Sequence, residues 1–174
     1  MAESHKSIFK PTHPEKYQGD AKNIICRSSW ERKFCIWCDT NPNILRWASE
    51  EFSIPYVSPV DGKVHRYFPD ALIEYKNKSG QVKKSLIEIK PERQTRAPER
   101  RPKVTKSYIF ECKTWEVNQA KWKAAQEFAL DNGIEFKILT ENELGIKQYG
   151  SKGTNSRPRR VSNRPKKQGR SSRR

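Results

Sequence analysis

Three charged residues lie within a segment that otherwise predicts an ordinary β-hairpin. Between Tyr67 and Pro91, two apolar runs flank a Lys-Asn-Lys-Ser-Gly turn, a pattern typical of two paired strands. Asp70 lies in the first run, and Glu88 and Lys90 lie in the second. If the turn is a three-residue loop that ends with its glycine in the left-handed region, counting back along both strands places Asp70 opposite Glu88, with Cβ atoms about 5 Å apart.

Two carboxylates and an ammonium on one strand face are typical of metal-dependent phosphodiester cleavage. The carboxylates repel each other unless a cation lies between them, and Mg²⁺ takes oxygen ligands and keeps waters that can be activated as nucleophiles. Lys90 can orient or deprotonate such a water, or stabilise charge on a phosphate in the transition state. The alternative is that Glu88 and Lys90 are solvent-facing residues of a sheet covered on one side only.

Several short segments, taken in their order along the chain, resemble a known nuclease superfamily. Pro69-Asp70 followed by Glu88-Ile89-Lys90 is similar to the signature of the PD-(D/E)xK nucleases, which include Holliday-junction resolvases and TnsA-like endonucleases. More narrowly, the order RSSWERKF, FPDALI, IEIKP, NQAKW resembles the head-completion nucleases of tailed phages. The resemblance covers roughly residues 26–145. It implies an α/β, restriction-endonuclease-like fold with a mixed central β-sheet flanked by helices.

The resemblance implies a role for each residue of the hairpin motif. Asp70 and Glu88 would be metal ligands, and the carbonyl of Ile89 would be a backbone ligand. Lys90 would be the catalytic lysine. The implied cofactor is Mg²⁺, for which Mn²⁺ would substitute, and no zinc is expected.

The resemblance also assigns residues on two helices, each with an alternative interpretation. Glu31 would be catalytic and would bind the metal from the first helix, directly or through a metal-bound water. Because Ser28 and Glu31 also have the spacing of a capping box, Glu31 can instead be a helix-start residue. Gln119 and Lys121 resemble a further family position near the site and are candidate accessory residues, although a solvated helix face also explains them.

Composition predicts a globular domain with a polyanionic partner. The chain has 174 residues, of which 33% are hydrophobic and 10% aromatic, including five Trp, with a mean hydropathy of -1.01. Its net charge is +16, which favours binding to nucleic acid. Residues 151–174 contain ten Lys or Arg and neither Asp nor Glu. In the connector after Pro91, we predict that five basic residues contact DNA: Arg93, Arg96, Arg100, Arg101 and Lys103.

Local patterns predict a division into a flexible N-terminal arm (1–25), a nuclease domain (26–149) and a disordered basic tail (150–174). In the domain, we expect a helix from Ser28 to before Pro42, a strand region over 44–59, a strand over 63–68 and the hairpin. A long helix from about Lys103 to Asp131, ended by Asn132-Gly133, and a strand over 134–139 follow. Thr140 to Glu143 has the form of a capping box that opens a final helix.

Other functional classes lack their sequence signals. Cys35 and Cys38 have the spacing of half a zinc site, but they alternate with apolar residues in the first helix, so buried thiols are the better interpretation. The sequence contains neither a Gly-rich phosphate loop nor a nucleophile elbow, which argues against nucleotide-driven motors and acyl-transfer hydrolases. Without a long apolar run or a signal peptide, we expect a soluble protein with no membrane partner.

The sequence therefore predicts a Mg²⁺-dependent DNA endonuclease of the phage head-completion type. It would act on packaged DNA during virion assembly, in the virion or the host cytoplasm, with head, portal or neck proteins as potential partners. A junction resolvase or repair nuclease is the alternative within the superfamily. A basic DNA-binding virion protein without activity is the non-enzymatic alternative, but such a protein has no need for Asp70, Glu88 and Lys90 together.

Overall fold

Eight strands and three helices make up the part of the chain that the computed structural model describes, residues 6–145. In chain order they are β1 (Ser7–Phe9), a 3₁₀ turn (Pro14–Lys16), β2 (Ile24–Cys26), α1 (Ser29–Thr40), β3 (Ile44–Ala48), β4 (Ile54–Val57), β5 (Val64–Tyr67), β6 (Ala71–Lys76), β7 (Val82–Ile89), α2 (Glu92–Thr95), α3 (Lys106–Asp131) and β8 (Glu135–Leu139). Within these residues, no helix is both long enough and apolar enough to cross a bilayer.

A mixed four-stranded sheet in the order β3-β6-β7-β8 forms the centre of the domain. The first three strands are antiparallel, and β8 runs parallel to β7. The strand pairs β1-β2 and β4-β5 form two separate antiparallel ribbons. The predicted mixed sheet flanked by helices is therefore confirmed, but the strand region predicted over 44–59 consists of two strands in different sheets.

Both faces of the central sheet are covered, because successive side chains of a strand point to opposite faces. Ile73 and Ile87 belong to a buried cluster with Phe34 and Cys38 of α1. On the other face, Leu86 packs with buried residues of α3 and of the β4-β5 ribbon. Accordingly, the last five residues of β7 are all buried. A sheet with one solvent-facing side, the alternative that the sequence left open, is thus wrong for this strand.

The hairpin of β6 and β7 has the predicted turn. Gly80 has a φ of 76°, and the backbone N–H of Asn77 donates to the carbonyl of Gln81 at 2.9 Å. Ala71 pairs with Ile87 at the far end of the two strands. One further step in this register places the next residues, Asp70 and Glu88, opposite each other.

The helices begin and end close to the predicted positions. Ser28 caps α1 by accepting the N–H of Glu31, and α3 ends at Asp131, before a left-handed glycine at 133. On α1, Phe34 and Cys38 are buried, whereas Trp37 is 46% exposed. The buried apolar stripe of this helix is narrow. Trp37 lies outside the stripe, and its ring stacks on that of Phe34.

The prediction of a flexible N-terminal arm is wrong for residues 6–25. Phe9, Tyr17 and Ile24 are buried in the main core cluster. The buried carboxylate of Asp39 also accepts the backbone N–H groups of Thr12 and His13. Widely spaced apolar residues in a polar, proline-rich stretch give too weak a local signal for this packing. Residues 1–5 of the predicted arm lie outside the described residues.

At the other end of the domain, the predicted capping contacts form, but a turn follows them. The Glu143 carboxylate accepts both the N–H and the hydroxyl of Thr140 at 2.7 and 2.6 Å. Residues 141–145 then form turns, so the predicted final helix is absent up to residue 145. The predicted basic tail, 150–174, lies outside the described residues.

Candidate active site

The three charged residues of the sequence motif, Asp70, Glu88 and Lys90, meet at one end of the central sheet. Asp70 immediately precedes β6, Glu88 lies in β7, and Lys90 follows β7. The Lys90 ammonium lies 2.9 Å from Glu88 Oε1. Asp70 Oδ2 accepts the backbone N–H of Ile89 at 2.6 Å, which ties the end of one strand to the other. The structure therefore brings together the residues that the sequence motif selects.

This site is not solvent-facing, contrary to the alternative that the sequence left open. Glu88 is only 3% exposed, and the Lys90 side chain is 26% exposed. The β4-β5 ribbon covers the acid, because the hydroxyl of Tyr67, at the end of β5, donates to Glu88 Oε2 at 2.6 Å. Sequence analysis missed Tyr67, since the contact depends on how the ribbon packs over the sheet. Its only local signal is its position three residues before Asp70.

The ammonium of Lys90 alone does not balance the negative charge of the two carboxylates. Burial, together with the charge of Glu88, raises the pKa of Asp70 to about 7, although Lys90 and the Ile89 N–H act against this. Burial alone would lower the pKa of Lys90, but Glu88 and Asp70 outweigh it and raise that pKa. One ammonium thus only partly compensates the two acids, of which Glu88 is buried and Asp70 partly buried. A divalent cation with oxygen ligands would supply the missing charge, so the donor set fits Mg²⁺.

A second lysine approaches the site from α3. The Lys121 ammonium lies 5.7 Å from the ring centroid of Tyr56 and 5.8 Å from that of Tyr67. Burial lowers the pKa of Lys121, and the charges of Glu88, Lys90 and Asp70 act on it as well. The alternative of a solvated helix face is therefore wrong for Lys121. Gln119 is partly buried on the same helix, and its accessory role stays a prediction.

Glu31 makes the contacts of a helix cap. Its Oε2 accepts the backbone N–H of Arg27 at 2.7 Å, and its Oε1 accepts the hydroxyl of Ser28 at 2.8 Å. The charge of Glu31 nevertheless acts on the site. It is one of the influences that raise the pKa of Asp70, although the weakest of them. A capping role and a catalytic role are both compatible with this position, so metal binding by Glu31 stays a prediction.

The basic connector after Pro91 is exposed, but part of its charge is already paired. Arg93, Arg100 and Lys103 are exposed. Arg96 pairs with Glu92 on α2, and Arg101 pairs with Glu111 of α3 at 2.7 Å. The contact of these five exposed residues with DNA stays a prediction, and Arg93, Arg100 and Lys103, which form no ion pair with the described residues, are its better candidates.

Comparison with known proteins shows the family of this chain. The family model of the N-terminal domain of TnsA-like endonucleases matches residues 41–141, a range that contains Asp70, Glu88, Lys90 and Lys121. The head completion nuclease of Enterobacteria phage T4 is 45% identical over 157 residues, which cover 88% of this chain and 99% of that protein. The match confirms the expected restriction-endonuclease-like fold. The chain therefore belongs to the TnsA-like endonuclease family, and its enzymatic class is that of a nuclease.

Proposed function

We propose that this chain is a Mg²⁺-dependent endonuclease that hydrolyses phosphodiester bonds of DNA. The observation that carries the proposal is the carboxylate pair of partly buried Asp70 and buried Glu88, with Lys90 at 2.9 Å from Glu88. A protein that only binds DNA gains nothing from burying two acids beside each other, because their desolvation and repulsion destabilise the fold. A metal-dependent nuclease needs this arrangement.

We assign a proposed role to each residue of the site. Asp70 and Glu88, with the carbonyl of Ile89 and with Glu31 from α1, would hold the metal. Bound Mg²⁺ supplies charge neutralisation at the phosphate and lowers the pKa of a water molecule. Lys90, whose ammonium lies 2.9 Å from Glu88 Oε1, would orient a water or stabilise negative charge that develops on the phosphate. Lys121 adds a second positive charge from the helix side. Mn²⁺ satisfies the same oxygen ligands and would substitute for Mg²⁺.

We further propose that the protein acts on packaged DNA during the assembly of a phage virion. Support comes from its 45% identity to the T4 head completion nuclease over nearly the full length of that protein. The net charge of +16 suits a polyanionic substrate. This role would place the protein in the virion or the host cytoplasm, beside head, portal or neck proteins.

Nicking of supercoiled plasmid DNA tests the biochemical part of the proposal. We expect cleavage with Mg²⁺ or Mn²⁺ and none with EDTA. Asp70→Asn should be inactive, whereas Glu116→Gln, which neutralises an exposed carboxylate on α3, should retain wild-type activity. Cleavage in EDTA would refute the metal requirement. Cleavage of branched but not of linear duplex DNA would instead indicate a junction resolvase.

A further inference from the structure

We infer that Tyr67 is a positioning residue that fixes the orientation of the Glu88 carboxylate and thereby sets the affinity of the site for its metal ion. The second half of this inference rests on the proposed function. None of the sequence motifs includes Tyr67, and its role follows from the contact between the β4-β5 ribbon and the central sheet.

The two oxygens of Glu88 have different partners. Oε2 accepts the Tyr67 hydroxyl at 2.6 Å, and Oε1 lies 2.9 Å from the Lys90 ammonium. Because the residue is 3% exposed, water cannot replace either partner freely. A carboxylate held at both oxygens has one orientation, with lone pairs left over that can bind a cation.

Tyr67 is itself held firmly enough to act as a fixed donor. It is 4% exposed and packs with Leu86 of the central sheet and with Ala125 of α3. Its backbone pairs with Ile54 across the β4-β5 ribbon. A donor anchored by a strand and by a core cluster loses little conformational freedom when it binds the acid. Tyr67 therefore orients the proposed ligand Glu88 in the way that hydrogen-bonding partners outside the coordination sphere orient metal ligands in general.

The chain contains a matched control for this phenol. Tyr56, on β4, also lies under the Lys121 ammonium, at 5.7 Å against 5.8 Å for Tyr67. Among the described residues, the Tyr56 hydroxyl makes no hydrogen bond to either acid, unlike that of Tyr67. Tyr67→Phe and Tyr56→Phe therefore remove the same group from neighbouring rings, and only the first removes a hydrogen bond to Glu88.

Calorimetric titration of the DNA-free protein with Mn²⁺ is the first test. We expect Tyr67→Phe to weaken Mn²⁺ binding about 10- to 100-fold, as loss of such a partner does elsewhere, and Tyr56→Phe to bind as wild type does. A purely structural role for Tyr67 would lower the melting temperature without changing the affinity of the folded protein for Mn²⁺. Wild-type affinity in Tyr67→Phe would therefore overturn the inference.

Thermal unfolding in EDTA tests the hydrogen bond without any metal. If Tyr67 and Glu88 are coupled, the melting-temperature change of Tyr67→Phe/Glu88→Met should differ clearly from the sum of the two single changes, because Met offers the Tyr67 hydroxyl no oxygen acceptor, whereas Tyr56→Phe/Glu88→Met should be additive. Additivity in both pairs would overturn the inference. If the wild-type protein bound no Mn²⁺, the proposed metal site and the metal half of the inference would fall, and the thermal cycle would still decide whether Tyr67 holds Glu88.

Discussion

Replacing Asp70 by Asn should stabilise the metal-free protein at neutral pH. At the same pH, the substitution should abolish cleavage. Asn has nearly the size of Asp, and its side-chain oxygen can still accept the N–H of Ile89, which lies 2.6 Å from Asp70 Oδ2. The substitution therefore removes one buried negative charge beside Glu88 and leaves the packing in place. Active-site acids often destabilise the fold that carries them.

The size and sign of the effect follow from the pKa of Asp70. Burial and Glu88 raise this pKa from 3.8 to about 7, so the folded protein holds the proton more tightly than the unfolded chain does. The contribution of Asp70 to stability is thus present below pH 3.8 and is lost as the pH rises towards 7. Since one pKa unit is worth about 1.36 kcal/mol, the ionised acid lowers the free energy of unfolding above pH 7 by up to roughly 4 kcal/mol.

Urea unfolding in EDTA, at a series of pH values from 4 to 8, measures this contribution. The difference in the free energy of unfolding between Asp70→Asn and wild type should grow in favour of the variant as the pH rises and level off above pH 7. Groups that do not interact with Asp70 cancel in this difference. A constant difference over the whole pH range, or a variant that is less stable at pH 8 than at pH 5 relative to wild type, would refute the reasoning.

Three further substitutions or truncations have defined outcomes. Lys90→Met should abolish plasmid nicking and lower the free energy of unfolding by roughly 2–3 kcal/mol, because it leaves buried Glu88 without its cation; unchanged stability in urea would contradict the ion pair. Glu31→Gln keeps a side-chain oxygen for the helix cap, so we expect an unchanged melting temperature. Because it removes the charge proposed to bind the metal, we also expect cleavage to be abolished, and retained cleavage would make Glu31 a capping residue only. Truncation after Gly150 removes ten positive charges and should flatten the slope of log affinity against log salt by about 0.9 for each phosphate that the tail no longer neutralises; an unchanged slope would exclude the tail from DNA binding.

The hairpin and its register can be predicted from sequence because their determinants are local. A left-handed glycine at position 80 and alternating apolar residues in both strands specify which residues pair. The order of the helices and strands also follows from local capping and turn signals, such as Ser28 before α1 and Gly133 after α3. These signals place Asp70 opposite Glu88 without any knowledge of tertiary packing.

Contacts between distant segments cannot be predicted in this way. The burial of Glu88 depends on Tyr67, whose ribbon is a separate sheet that packs over β7. The docking of residues 6–25 depends on isolated apolar side chains such as Phe9 and on the acceptor Asp39, and neither belongs to a periodic pattern. For Lys121, the pattern of α3 favours a solvated face because it does not show which residues the ribbon covers.

The cleavage rates of a double-mutant cycle test the central claim, that Asp70 and Glu88 act as one metal-dependent unit, most directly. Single-turnover nicking with Mg²⁺ would be measured for wild type, Asp70→Asn, Glu88→Gln and the double variant, with excess enzyme so that DNA affinity does not limit the rate. The account predicts that each single variant is nearly as inactive as the double variant, since residues that act as a unit are strongly non-additive. Substantial activity in either single variant, or rate reductions that simply multiply in the double variant, would contradict it.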